Sequence, residues 1–302
     1  MRALAASALL LAAACAAPTS ESRAVAFLSR EVPAWPVANK CFSCHNSGDG
    51  VRALLAARRA GHSLEPNVLE SSLRFLSRPE DWKYSGPEGP FSDRKLAAIQ
   101  FAHALSSSAG GAEPLRRAAD LVRGFQEADG SWAVDTGGLP GSPVTYGRTL
   151  ATTVARRILA RAGLDEPAAR AGTWLRDRKP ETPLDAAALL LDNPSRSDAF
   201  DLLRRSQGPH GGWGPYVVSP PESFDTAVAI LALSNVPRAD VMILRGRQYL
   251  ASQQLPDGSW PETVRPPGAE SYAQRISTTA WALLALLQTQ REAGSERGIP
   301  SR

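Results

Sequence analysis

The sequence predicts an all-α protein of six helical hairpins closed into a ring. Three observations predict it. A turn ending in Gly-x-Trp recurs along the chain, apolar residues step by three and four on both sides of it, and the last helix is too apolar to serve as an open end. The repeat is plainest in Leu121 to Trp132 (LVRGFQEADGSW), Leu202 to Trp213 (LLRRSQGPHGGW) and Tyr249 to Trp260 (YLASQQLPDGSW), with a worn copy from Phe75 to Trp82 (FLSRPEDW). Trp82, Trp132, Trp213 and Trp260 lie 50, 81 and 47 residues apart, and the long gap holds a degenerate copy near Trp174, Leu175 and Pro180. The unit is therefore about 40 to 50 residues, the size of a helical pair.

The apolar stripes place hairpins at about residues 22 to 60, 66 to 108, 113 to 163, 165 to 192, 196 to 235 and 238 to 292. In the third, Leu115, Ala118, Ala119, Val122 and Phe125 form one buried face. In the sixth, Ile276, Ala280, Leu283, Leu284 and Leu287 do the same. Gly and Pro, 24 of each, gather in the turns, as at Pro256-Asp257-Gly258, where they stop helices. An open stack of repeats needs polar caps at both ends. The helix from Ile276 to Leu287 is no such cap, and closing the ring hides it.

Composition sets the outer limits. The chain has 302 residues, 43% of them hydrophobic and 21% charged, with a mean hydropathy of -0.22, which excludes a disordered chain and a polytopic membrane protein. The 34 basic against 30 acidic residues give a charge of +4 spread along the sequence. No basic run interleaved with aromatics forms a nucleic-acid groove, so no nucleic-acid partner is expected.

The Gln…Asp-Gly-Ser-Trp segments at Gln126 to Trp132 and Gln254 to Trp260 resemble the QW repeats of the terpenoid cyclase and protein prenyltransferase superfamily, the squalene-hopene cyclases among them. Residues 207 to 213 keep the Gln, Gly and Trp. The resemblance spans nearly all of residues 22 to 290 and implies an α/α toroid with an outer and an inner ring of helices. It also implies that Gln and Trp tie each outer helix to the next inner one, and that inner helices begin near Phe91, Tyr146, Leu184, Phe224 and Tyr272. Turn packing is the expected role of the repeated Trp residues.

At the amino terminus, Arg2 precedes an apolar stretch from Ala3 to Ala14 and then small residues, the layout of a secretory signal over residues 1 to 17. Leu11 to Cys15 also resembles a lipobox with Cys15 as the lipidated residue; cleavage within Ala12 to Ala17 is the alternative. Either way the chain is expected to be exported, periplasmic or anchored by lipid to the cell envelope, with no other membrane contact. The polar tail, residues 291 to 302, reads as disordered.

Cys41-Phe42-Ser43-Cys44-His45 is a C-x-x-C-H sequence, the pattern for covalent heme c. Two thiols at that spacing can take up the two vinyl groups of a porphyrin, and His45 is then the proximal iron ligand. A Cys41-Cys44 disulfide is the alternative. His210, on the same rim but in the fifth hairpin, is the geometric favourite for a distal ligand over His62, His103 and Met242, each of which reads more simply as a surface or core residue; an open sixth position is the equal alternative. The cysteine count is three, and none follows Cys44. The zinc site that the prenyltransferase resemblance would imply therefore lacks its thiol, and no zinc is expected.

The resemblance to squalene-hopene cyclases also bears on catalysis. Their D-x-D-D-T-A motif opens an inner helix and supplies the proton that starts cyclisation. Here Glu222-Ser223-Phe224-Asp225-Thr226-Ala227 stands at that place, with Phe224 where the donating Asp belongs. A phenyl ring is no Brønsted acid. Asp93, Asp185 and Asp225 near helix starts are expected to cap them. The sharper reading makes Asp225, beside Glu222, a catalytic acid of raised pKa facing a central apolar cavity. The expectation is thus a cyclase-like toroid that carries a heme and binds an apolar, isoprenoid-like ligand or a protein partner. An active terpenoid cyclase with a divergent acid, a heme-dependent oxidoreductase and a heme-free structural toroid are the alternatives.

Overall fold

The computed structural model describes residues 17–84, 93–134, 136–263, 265 and 271–290. The signal segment with Cys15, and the tail beyond residue 290, lie outside them. Outer helices are α1 (Ser20–Asn39), α3 (Glu70–Leu76), α5 (Ala112–Arg123), α7 (Asp165–Asp177), α9 (Ser197–Ser206) and α11 (Asp240–Gln253). Inner helices are α2 (Val51–Arg59), α4 (Arg94–Ser106), α6 (Gly147–Arg161), α8 (Pro183–Asp192), α10 (Ser223–Leu233) and α12 (Tyr272–Gln288). A π-helical segment, Cys44–Gly50, leads into α2. Each inner helix packs on the next, α2 through α12, and α12 packs back on α2 and the π-helical segment. The result is an all-α, closed α/α toroid, with no strand among the described residues.

Sequence pattern sorts helices between the rings. In α5 and α9 buried residues occupy one face only, Leu115, Ala118, Ala119 and Val122 in the first case, and arginines cover the other. Helix α10 is buried almost throughout, because it touches neighbours on every side. Inner helices run parallel, so the toroid has two distinct rims. One carries their amino-terminal ends and the repeated turns; the other carries their carboxy-terminal ends.

The repeated turn is a three-way tie. Gln126 Nε2 donates to Gly130 O and to Pro167 O of α7, each at 2.9 Å. Gln207 Nε2 donates to Gly211 O at 2.7 Å and to Met242 O of α11 at 2.9 Å. Gln254 Nε2 reaches Gly258 O and Ser20 O of α1, both at 2.9 Å. The indole of each Trp donates back to the helix just finished: Trp132 to Val122 O, Trp213 to Leu203 O and Trp260 to Leu250 O, at 2.7 to 2.8 Å. The backbone N-H of each Trp is taken by an inner-helix threonine, Thr152, Thr226 or Thr279. All three indoles are fully buried. At the degenerate turn of the fourth hairpin Arg196, at the head of α9 in the fifth, does this work, donating to Leu175 O at 3.1 Å and Arg178 O at 2.9 Å.

Glycine is required inside the turn. Gly258 has φ of 92°, and a Cβ there would lie 2.3 Å from Arg23 O of α1. Gly258→Ala should therefore cost about 2 to 4 kcal/mol from backbone strain and clash together. Gln254→Ala, which removes the donor that joins the sixth hairpin to the first, should cost about 1 to 3 kcal/mol. Urea unfolding of both variants against the parent chain checks the order and the size.

Candidate functional site

Two polar clusters stand inside the ring. The first lies on the axis and was invisible in the sequence. Gly48 and Gly50 let the π-helical segment press on its neighbours: a Cβ would meet Gln100 Cβ at 3.0 Å from the first and Val32 Cγ2 at 2.8 Å from the second. The wide winding turns Asp49 inward, where it is 1% exposed. Its Oδ1 accepts from the Tyr146 hydroxyl at 2.6 Å, and its Oδ2 accepts from Gln100 Nε2 at 2.9 Å and Ser277 Oγ at 2.8 Å. Arg52 Nη2 lies 3.6 Å away. Four hairpins thus meet on one carboxylate.

His45 belongs to the same network. Its Nδ1 lies 2.8 Å from Ser277 Oγ, whose only proton goes to Asp49, so Nδ1 is the donor in that bond. Burial pushes the His45 pKa down to about 4, with Asp49 opposing, and the ring is neutral at pH 7. Burial also lifts the Cys44 thiol to about 12, with Asp49 adding to it, so no thiolate forms there. Cys41 and Cys44 are both unpaired and half-buried on the amino-terminal rim.

The donor chemistry suits an iron-bound imidazole, since Nδ1-H is anchored and the Nε2 lone pair remains for a metal. The space does not suit it: a porphyrin lies against the ring it binds, and His45 is only 5% exposed, turned into the interior. A heme at Cys41 and Cys44 does not fit the side chains as they stand. His210 is likewise not brought to His45. It is exposed on the turn between α9 and α10, while His45 faces α12. His62 and Met242 stand on a turn and an outer helix, and His103 in α4 contacts Arg52 instead. No three His, Cys, Asp or Glu side chains converge on a metal position among the described residues.

The second cluster is the one read from the cyclase-like motif. Glu222 precedes α10, and Asp225 sits in its first turn, buried. Asp225 is not the helix cap. Arg265 Nη2 donates to both its carboxylate oxygens, at 3.1 and 2.9 Å, while Arg265 Nη1 donates to Glu222 at 2.8 Å. Capping does describe Asp93, which accepts from Lys95 N and Leu96 N, and Asp185, in a capping box with Thr182. Two carboxyls share one guanidinium, so one negative charge lacks a counter-charge. Burial raises the Asp225 pKa to about 6, Arg265 opposing and Glu222 adding. The raised pKa expected for this residue has its cause here, but the residue does not face a central apolar cavity: the Asp225 side chain is fully enclosed and faces Arg265. Phe224, the residue beside it, points at the axis and packs edge-on against Trp281 at 5.8 Å.

Around these groups the amino-terminal rim shows apolar side chains to solvent. Val37 at the end of α1, Tyr216 and Val218 between α9 and α10, and Tyr272 at the head of α12 are all exposed. Trp35 stacks on Tyr272 at 5.1 Å.

Comparison with solved structures decides the architecture. The type II terpene cyclase MstE from Scytonema superposes with a TM-score of 0.53 over 89% of this chain and 97% of that one, at 17% identity. The fold is that of a type II terpene cyclase. A variant of the same enzyme in complex with its substrate, geranylgeranyl dihydroxybenzoate, superposes at 0.51 over 89% of this chain and 96% of the other, with 16% identity. Among curated sequences, squalene-hopene cyclase of Bradyrhizobium diazoefficiens is 33% identical over 97 residues, and lanosterol synthase of Saccharomyces cerevisiae is 30% identical over 97. Each match takes 30% of this chain, and the chain covers only 15% and 13% of those relatives. No protein-family model matches the chain.

Within this cyclase fold the two buried groups respond to pH with opposite sign. Asp225 holds its proton in the folded chain up to about pH 6, above its ordinary value of 3.8, so its contribution to stability is full below about pH 4 and is lost as pH rises through 6. His45, lowered from 6.5 to about 4, contributes stability that is present above 6.5 and is lost as pH falls through 4. The Asp225→Asn variant removes only the first. Relative to the parent, it should gain stability from about pH 4 to 6 and level off above that in urea titrations, and a difference that stays flat across pH 4 to 6 would refute the raised carboxyl.

Proposed function

We propose that this chain is a terpene-cyclase-like toroid that binds an apolar, isoprenoid-like ligand on its amino-terminal rim without cyclising it by protonation. The observation that carries the reading is Phe224. It occupies the place of the proton-donating Asp in the motif, points at the axis, and is fully buried against Trp281. Asp225, the nearest carboxyl, holds a proton only up to about pH 6 and is locked to Arg265 and buried. A catalytic acid must reach the reacting atom, and this one has no open side. The exposed Val37, Tyr216, Val218 and Tyr272 give the same rim an apolar surface. The substrate in the solved relative is a prenylated aromatic, which suits such a surface.

Geranylgeranyl dihydroxybenzoate and squalene are the compounds to test. Incubation with either should return it uncyclised, while Val218→Asp should weaken binding of the prenylated aromatic at least tenfold in a fluorescence titration. A cyclic product that disappears in Asp225→Asn would replace this reading with an active cyclase using a divergent acid.

A second reading keeps heme c and export to the periplasm, and rests on C-x-x-C-H with both thiols unpaired on the rim. Attachment there would require His45 to leave its interior position, giving up the Ser277 hydrogen bond so that its Nε2 became accessible from the rim. Chain matured in cells with a heme-attachment system should then show a reduced α-band and a heme-sized mass increase that survive denaturation. Apoprotein mass with no α-band leaves Cys41 and Cys44 to a disulfide or to free thiols, and the toroid without a redox role.

A further inference from the structure

The carboxy-terminal rim, opposite the turns, opens into a cavity of about 750 Å³ whose lining includes Arg58 and Arg59 of α2, and Arg157 and Arg161 of α6. A smaller space of about 170 Å³ shares His103 and Arg157 with it, and reaches the axis at Arg52 and Trp281. No Asp or Glu lines either space. Arginines in the last turn of a helix often serve only to complement its dipole. Four on α2 and α6, the helices on either side of α4, around one opening, with no acid lining it, exceed that need. Arg58 and Arg161 have no hydrogen-bond or ion-pair partner among the described residues, and Arg59 and Arg157 bond only to the backbone carbonyls of Ser107 and Leu191.

The floor of this funnel shows what is missing. Arg52 is 6% exposed and lies over the Trp281 ring at 4.1 Å. Its Nε has no hydrogen-bond partner, and its Nη2 has none beyond the ion pair with Asp49 at 3.6 Å; the buried Trp281 Nε1 and His103 Nδ1 also lack one. Arg52 Nη1 lies 3.5 Å from His103 Nε2 and can only donate, so that nitrogen is the acceptor and the imidazole proton sits on Nδ1. Every one of these orphaned atoms is therefore a donor. The nearest acids are already engaged: Asp49 accepts three hydrogen bonds, and Asp192 is held by Arg156 at 2.5 Å. Leaving several buried donors unsatisfied is costly, and a ligand that only accepts relieves all of them.

We propose that the carboxy-terminal mouth of the toroid binds a phosphate or diphosphate group, with Arg52, His103 and Trp281 at its base and Arg58, Arg157 and Arg161 at its opening. A single carboxylate matches one guanidinium fork; a diphosphate supplies the oxygens and charge for several. The site is independent of the apolar ligand on the other rim, and a failure of either reading leaves the other untouched.

Inorganic pyrophosphate, inorganic phosphate and chloride at equal ionic strength, followed by thermal unfolding and calorimetry on the full chain, form the test. Pyrophosphate should raise Tm in a saturable way and phosphate should do so more weakly, with chloride giving no saturable rise. The exposed double substitution Arg58→Ser with Arg161→Ser, which breaks no described interaction, should lower pyrophosphate affinity at least tenfold. His103→Gln should do the same, and addition of pyrophosphate to the parent chain should shift the His103 ring signals in NMR. No saturable response, or one unchanged in both variants, overturns the proposal. Vesicles of phosphatidic acid and phosphatidylcholine separate free from lipid-borne phosphate. Binding to acidic vesicles that pyrophosphate displaces supports the site with a headgroup as its source. Binding to vesicles without any binding of pyrophosphate overturns it in favour of a basic surface.

Discussion

The ring stands on the hydrogen bonds of three glutamines. Each Gln side chain spends its amide on two carbonyls, one in its own turn and one at the start of the next outer helix, so the same group shapes a turn and joins two hairpins. The Gly beside it permits the approach, because its Cβ would collide with the backbone of that next helix in all three copies. Asp and Ser complete the turn twice, at Asp129 with Ser131 and at Asp257 with Ser259, and an arginine of the following inner helix clamps each pair. A solenoid built this way propagates through nearest neighbours. What makes it a ring is that the last copy finds its carbonyl in the first helix, at Ser20, where Arg247 also pairs with Glu21.

Because the inner helices are parallel, closure sorts chemistry by rim. The amino-terminal rim collects the turns, the two free thiols, the Glu222, Asp225 and Arg265 cluster and the exposed apolar side chains. The opposite rim collects arginine. Between them the axis is filled by Asp49, Tyr146, Gln100 and Ser277, with Phe224 and Trp281 alongside. That polar plug separates the two rims along the axis, and a fold shared with cyclases does not by itself carry their chemistry.

The fold was legible because a repeat declares itself locally. Gln, Gly and Trp at fixed offsets act within a few residues of one another, and the outer helices announce their single apolar face, so all six hairpins could be placed from sequence, and the family resemblance placed the starts of α6, α8, α10 and α12; the start expected near Phe91 lies outside the described residues. The site was legible only in part. Glu222 and Asp225 stood out through their resemblance to a motif, but their partner Arg265 lies 40 residues on in an irregular loop, with no pattern to mark it. Asp49 reads as a turn residue among Ser47, Gly48 and Gly50; only the π-helical winding turns it to the axis. His45 shows the reverse problem. Its five-residue motif is strong locally, yet the fold sets the imidazole in the interior, where tertiary packing and not sequence spacing decides its neighbours. Arg52, Arg58, Arg157 and Arg161 are ordinary helix arginines in sequence, and become a group only when α2, α4 and α6 stand side by side.

The bond from Gln254 to Ser20 spans nearly the whole described chain, so the first helix made finds its partner only in the last hairpin to be synthesised. Until then α1 and the π-helical segment lack α12, and both edges of a growing arc of hairpins expose apolar surface. The nascent chain is thus an open crescent for most of its synthesis, and Asp49 and His45 obtain Ser277 only at its end. Any step that modifies Cys41, Cys44 or His45 has its easiest access in that interval, before the ring shuts.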